Sequence, residues 1–280
     1  MSISLMEARR RFHRALIESG TLSINSSGVA SNADKSQRLS RDLAATIAHN
    51  LGAAHGIRKL QGQSSGRNFE DAVSSFLRDT FPALSALRPG RWEVLNVGSA
   101  RHGQFLAHLD ELAEAITRNP TLATILGNSY GISPDVLIVR HPVLLQELEE
   151  AGILIDGVAS YSPLLARNQS YPIVHAVVSC KWTLRSDRAQ NARSEALNLI
   201  RNRKGRTPHI VVVTGEPTPS RLSSLALGTG DIDTVYHFAL PELIEATPAS
   251  GSGEAVNTLE TLIDGQRLRD ISDLPCDLAI

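Results

Sequence analysis

The chain is poor in cysteine, lysine, net charge and long apolar runs, and each shortage removes a class of function. Two cysteines, Cys180 and Cys276, stand far apart in 280 residues. They make neither a disulfide framework nor a zinc site, and a reducing compartment suits them. A formal net charge of −1 excludes a protein that coats nucleic acid through bulk positive charge, so any DNA binding must come from locally clustered arginines. No apolar run approaches the roughly 20 residues that span a bilayer. The N-terminal stretch MSISLMEARRRFHRALIES is an amphipathic helix broken by charges rather than a signal peptide, so a cytoplasmic protein with no membrane partner is expected. There is no P-loop or G-x-G-x-x-G, and Gly228–Thr229–Gly230 is too short to count, which argues against a nucleotide-dependent small-molecule enzyme. Without a linker, repeat or low-complexity tract, the expectation is one domain over 1–280 with helical elaboration at the N-terminus.

Of the 28 basic residues only four are lysines, Lys35, Lys59, Lys181 and Lys204, against 24 arginines. The arginine bias suits bidentate recognition of guanine or phosphate, although coding bias in a GC-rich genome would produce it equally. Lys181 alone ends a β-branched apolar run, Ile173 to Val178. A compact ammonium is costly to desolvate, so a lysine there either has a partner or snorkels to solvent.

Local patterns predict helices over 4–19 and 36–51, the second capped by Asp34, then a surface loop over 56–68 and a helix from about Asn68 to Thr80. Glu70 lies at the margin of that helix's buried face, where a first-turn acid also suits the helix dipole. A strand is expected from Trp92 to Val97, a helix over 103–118 and a short buried strand Val136–Val139 opened by Asp135, itself an ordinary turn residue when considered alone. A further helix covers 143–151, and 153–172 mixes turn and strand signals. The strand 173–181 leads into a helix from about Asp187 to Arg203 that carries Glu195. The strand 209–215, the helix 218–227 and the strand 234–238 complete a βαβ pattern, so part of the sheet is parallel. The last 40 or so residues suggest helices. The fold class is therefore α/β, a central mixed sheet flanked by helices.

Asp135, Lys181 and Glu195 stand at the ends of elements that one sheet can bring together. Two carboxylates and a lysine at one sheet edge suit metal-dependent phosphodiester hydrolysis: hard oxygens hold Mg²⁺, and the amine orients water and offsets charge on phosphorus. Pro134–Asp135 followed far downstream by Lys181 resembles the PD-(D/E)XK nuclease motif, except that Ser179 stands where the pattern has an acid. That departure is the mark of the NgoMIV type among the CCGG-recognising restriction endonucleases, in which a glutamate downstream of the lysine replaces the missing acid. Here Lys181 lies 46 positions after Asp135, and Glu195 a further 14 on.

The resemblance implies a restriction-endonuclease-like fold and a type II enzyme that cuts double-stranded DNA at GCCGGC, leaving 5′ overhangs, with Mg²⁺, two ions per site. It implies metal binding by Asp135, Glu195 and the Cys180 backbone carbonyl, with Glu70 as a further acid. It also implies readout of the CCGG core by Arg185, Asp187 and Arg188, in keeping with arginine on guanine and aspartate on cytosine. The other reading of Asp187 is a helix cap beside solvated arginines. By the same resemblance Asp34 and Arg221 contact the outer base pairs, and Ser36 and Gln63 lie near the DNA, Gln63 in the minor groove. A palindromic site implies a homodimer, and the resemblance extends this to a homotetramer. Two alternatives remain: a structure-selective or repair nuclease of the same fold, and a sequence-specific DNA-binding protein without catalysis.

Overall fold

The computed structural model describes residues 3–53, 55, 62–96, 114–119, 121, 124, 134–184, 186–203, 205–228 and 230–280. The expected turn at 131–133, Val97 and most of the expected helix 103–118 lie outside them; 114–118 are helical.

Two N-terminal helices build one flank. In α1 (Leu5–Glu18) the Ser4 hydroxyl accepts from Glu7 N–H at 3.3 Å, and the helix ends at Ser19 before Gly20, whose φ of +71° suits a residue without a Cβ. It buries Ala8, Phe12 and Leu16 against α3 (Gly62–Thr80). Between them, α2 (Arg38–Asn50) buries Leu43, Ala44, Ile47 and Ala48. Two expectations are corrected. The loop assigned to 56–68 is helical from Gly62 onward, because docking of Ser65 and Phe69 into the core overrides the weak propensity of glycine and serine. Asp34 does not cap α2: Gln37 holds that position without a side-chain bond.

The sheet has six strands in sequence order: β1 (Trp92–Asn96), β2 (Val136–Arg140), β3 (Ile173–Lys181), β4 (His209–Thr214), β5 (Thr234–His237) and β6 (Leu268–Asp270). The pairs β1–β2 and β2–β3 are antiparallel; β3–β4, β4–β5 and β5–β6 are parallel. Strands buried on both faces need near-continuous apolar runs, as in VLIV of β2 and IVVV of β4. The crossover β3–α5–β4, with α5 spanning Ser186–Asn202, and the crossover β4–α6–β5, with α6 spanning Pro219–Ala226, are the expected parallel units. Short α4 (Leu145–Glu150) follows β2, and 153–172 are turns tied down by one bridge between Val143 and Leu165. The C-terminal segment holds α7 (Leu240–Ala249), α8 (Gly253–Asp264) and α9 (Leu274–Asp277), and also the unexpected strand β6.

Period-two alternation along β3 sorts its side chains between two layers. Val177 and Ser179 point with Ala192, Ala196 and Leu199 of α5. Trp182 faces the other layer, its ring 5.0 Å from Phe69 of α3 and 5.2 Å from Phe238. Full burial of a side chain such as Phe69 contributes about 1.5–3 kcal/mol. No helix of the described residues is long and apolar enough to cross a membrane.

Candidate active site

Three elements deliver three charges to the C-terminal end of β3. Antiparallel pairing of Val136 with Val178 sets Asp135, the residue before β2, alongside Cys180. Its Oδ2 accepts from the Cys180 N–H at 2.6 Å and lies 3.4 Å from Lys181 Nζ. Lys181 shares the face of Ser179, and α5 crosses that face so that Glu195, on its third turn, comes within 3.6 Å of the ammonium and 3.5 Å of the Ser179 hydroxyl. The missing acid at 179 is thus replaced in space by Glu195. Cys180 points the opposite way and is buried. Burial, with the Asp135 charge nearby, pushes its thiol well up, and it meets Asp135 through its backbone N–H.

The charges are strongly coupled. Burial alone would lower the Lys181 ammonium, but Asp135 and Glu195 outweigh it and hold the amine above the usual lysine value. Burial raises Glu195, opposed by Lys181. Glu70 reaches the margin from α3; burial and the neighbouring Asp135 charge push it up to about 7. An excess of half-buried carboxylate around one amine is what a bound cation would relieve. Among the described residues no three His, Cys, Asp or Glu side chains form a metal-binding group. Asp135 and Glu195 would offer a cation two hard oxygen donors, a set that suits Mg²⁺, an ion that keeps several waters, better than zinc or calcium.

A second cluster lies beyond the β4 end. Asp34 Oδ1 accepts from the Ser36 N–H at 2.9 Å and the Ser36 hydroxyl at 2.7 Å, and its Oδ2 pairs with Arg221. The Ser36 bonds and the guanidinium hold the Asp34 carboxyl far below the usual carboxylate range. Arg221 is in the first turn of α6, as expected, and lines an open cavity of about 540 Å³ with Asp34, Leu184, Gln190 and Arg193. Arg188 donates to the Thr183 hydroxyl at 3.0 Å. Arg185 lies outside the described residues, as do the side chains of Asp187 and Gln63, although Asp187 falls in the first turn of α5 and Gln63 in the first turn of α3.

The sequence reading missed Glu216. It is wholly buried, and its Oε2 accepts from the Leu184 N–H at 2.9 Å and lies 3.7 Å from Arg221. Its signal was the one that drew attention to Lys181: a charge just past a buried β-branched run. Asn32, also missed, donates to the Gly215 carbonyl at 2.7 Å and carries no sequence signal, since a loop asparagine is common.

Comparison with known proteins gives the family of the chain. A family model described as "NgoMIV restriction enzyme" matches residues 12–280. The type II restriction enzyme NgoMIV of Neisseria gonorrhoeae is 49% identical over 281 aligned residues, covering 98% of each chain. A solved structure titled "Restriction endonuclease PspGI-substrate DNA complex" aligns with 99% of this chain and 92% of that one at 13% identity, with a TM-score of 0.27, too loose a superposition to carry weight. The match across nearly the whole length places the chain in the NgoMIV restriction enzyme family.

Proposed function

We propose that this chain is a type II restriction endonuclease, a single catalytic domain that hydrolyses double-stranded DNA at GCCGGC with Mg²⁺ and leaves 5′ overhangs. The observation that carries the reading is Lys181 Nζ standing 3.4 Å from Asp135 and 3.6 Å from Glu195, three residues brought from β3, the edge of β2 and α5. Asp135, Glu195 and the Cys180 carbonyl would hold the cation, two ions per site, with Glu70 assisting. When bound, Mg²⁺ supplies Lewis acidity toward the scissile phosphate and the attacking water. Lys181, held cationic by its two carboxylates, orients the water and offsets charge on the phosphorus.

Arg185, Asp187 and Arg188 read the CCGG core from the β3–α5 junction, and Arg221 with Asp34 reads the outer pair. Ser36 buttresses Asp34, and Gln63 approaches the minor groove. The family's name and the 49% identical relative favour this reading over a structure-selective nuclease or a non-catalytic binder. A palindromic substrate calls for a two-fold dimer, and two dimers make a tetramer that engages two DNA copies.

The test is digestion of plasmids bearing no, one or two GCCGGC sites, with Mg²⁺ or chelator, by wild type and Asp135→Ala. Metal-dependent cutting confined to that hexamer, lost in the variant, supports the proposal, and faster cutting of the two-site plasmid supports the tetramer. Cutting at another CCGG-containing hexamer retains the catalytic assignment and rejects the outer-pair readers. Binding without cleavage under any metal rejects the enzyme.

A further inference from the structure

We infer that Glu216 is a positioning residue that couples the two halves of sequence recognition, holding the β3–α5 turn and the start of α6 in one fixed relation. This rests on the restriction-endonuclease reading.

The argument is geometric. Glu216 stands two residues past the end of β4, and its side chain is 1% exposed, so both carboxylate oxygens must find donors inside the protein. They find them on two different segments. Oε2 takes the N–H of Leu184, the last described residue before Arg185, in the turn whose Thr183 hydroxyl receives Arg188. Oε1 takes the N–H of Thr218, the N-cap residue of α6, at 3.2 Å. The same Oε2 lies 3.7 Å from Arg221, one turn into α6, which in turn pairs with Asp34. The Glu216 backbone is equally tied down: its N–H donates to the Thr214 hydroxyl at 3.2 Å, and that hydroxyl donates to the Lys181 carbonyl at 2.7 Å. Asn32 closes the third side by donating to the Gly215 carbonyl.

One buried carboxyl group therefore joins the segment assigned to the core readers, the helix assigned to an outer-pair reader, and, through Thr214, the backbone of the lysine assigned to catalysis. A carboxyl group suits this place: its two oxygens accept from two N–H groups, and these bonds together with the Arg221 guanidinium 3.7 Å away oppose the rise that burial imposes on it. Displacement of either segment would misplace base-reading side chains, because bidentate readout tolerates little lateral error.

The experiment compares wild type, Glu216→Gln, Glu216→Asp and Arg221→Ala in steady-state cleavage of three duplexes: GCCGGC, ACCGGT with the outer pair exchanged, and GCGCGC with the core exchanged. Glu216→Gln is expected to raise KM on GCCGGC at least about tenfold, with kcat within about threefold, and to lose about tenfold or more of the discrimination against both altered duplexes. Arg221→Ala is expected to lose discrimination only at the outer pair. A Glu216→Gln protein that loses kcat alike on every duplex while keeping its discrimination overturns the inference, as does one that loses only outer-pair discrimination. Where thermal melting shows Glu216→Gln to be unfolded, Glu216→Asp, which keeps the charge and shortens the reach, decides by the same two criteria. Failure of wild type to cut any duplex is a different result and refutes the nuclease reading itself.

Discussion

At the residue scale, the replacement of an acid at 179 by Glu195 makes a specific demand. Only about 3.5 Å separates the Ser179 hydroxyl from the Glu195 carboxylate, so a carboxylate grown from position 179 would enter the same space. Glu195→Gln keeps the shape and removes the charge, and cleavage is expected to fall by roughly a hundredfold or more, the scale on which a lost electrostatic group acts. Ser179→Glu placed in a Glu195→Ala chain is expected to recover part of that loss, whereas Ser179→Glu in wild type crowds three carboxylates around Lys181 and lowers activity. Single-turnover cleavage rates decide it; a double variant no faster than Glu195→Ala would show that α5, and not the charge alone, is required. Neither the separation nor the shared face was legible from Ser179 by itself. The spacing of Asp135, Lys181 and Glu195 was legible through its resemblance to one nuclease type, whereas the directions of the three side chains came from the alternation within β3 and the crossing of α5 over it.

At the element scale, the turn after β4 is held by close packing. A Cβ on Gly215 would lie 2.5 Å from the Trp182 ring and 2.9 Å from the Trp182 carbonyl, and the ring cannot yield because Phe69 and Phe238 wedge it at 5.0 and 5.2 Å. Gly215→Ala is therefore expected to destabilise the fold by about 1–3 kcal/mol, the range for overpacking, read as a lowered urea midpoint with unchanged slope. It also displaces Glu216, so DNA affinity falls with stability. Two misreadings of the sequence belong to other elements. β6 has three residues, too few to show a period, and is placed by parallel pairing with β5, with Asp270 bound to Arg9 of α1 at 2.9 Å. The first turn of α3, rich in glycine and serine, is helical because its later residues are buried.

At the scale of the whole molecule, pH acts through buried histidine. His237 is fully buried, its Nδ1 accepts from the Ala239 N–H at 3.1 Å, and burial pushes it down to about 4. An unfolded histidine near 6.5 binds its proton first, so the contribution is complete above that pH and is lost as pH falls toward 4. Wild type measured against His237→Asn, whose amide oxygen can accept the same N–H, cancels the carboxylates that titrate in the opposite sense. The stability of wild type relative to the variant is expected to drop by about 2 kcal/mol between pH 7 and pH 5, followed by denaturant titration at each pH; no change would mean His237 titrates alike in the folded and unfolded states. Assembly is the other property of the whole. Ile153, Leu154, Val158 and Tyr161 fall within nine residues of the turn segment after α4 and are all exposed, Leu154 74% and Tyr161 96%, apolar side chains of the kind a partner surface covers. If this segment joins copies of the chain, Leu154→Asp with Tyr161→Asp lowers the mass seen by light scattering below that of wild type; an unchanged mass puts any interface elsewhere.

The sequence alone determined what depends on local order: amphipathic periods of α1, α2 and α5, the apolar runs of the central strands, and a spacing of two acids and a lysine that resembled one nuclease type. Only the tertiary structure decided what depends on registers and crossings. The antiparallel register of β2 against β3 brought Asp135 within reach of the Cys180 N–H, the parallel register of β3 with β4 put Thr214 on Lys181, and burial turned Glu216 from an unremarked acid into a shared partner of the β3–α5 turn and the start of α6. The physical reason is that a charge's role is set by how many donors enclose it and from where, and a chain brings those donors together only when distant segments pack.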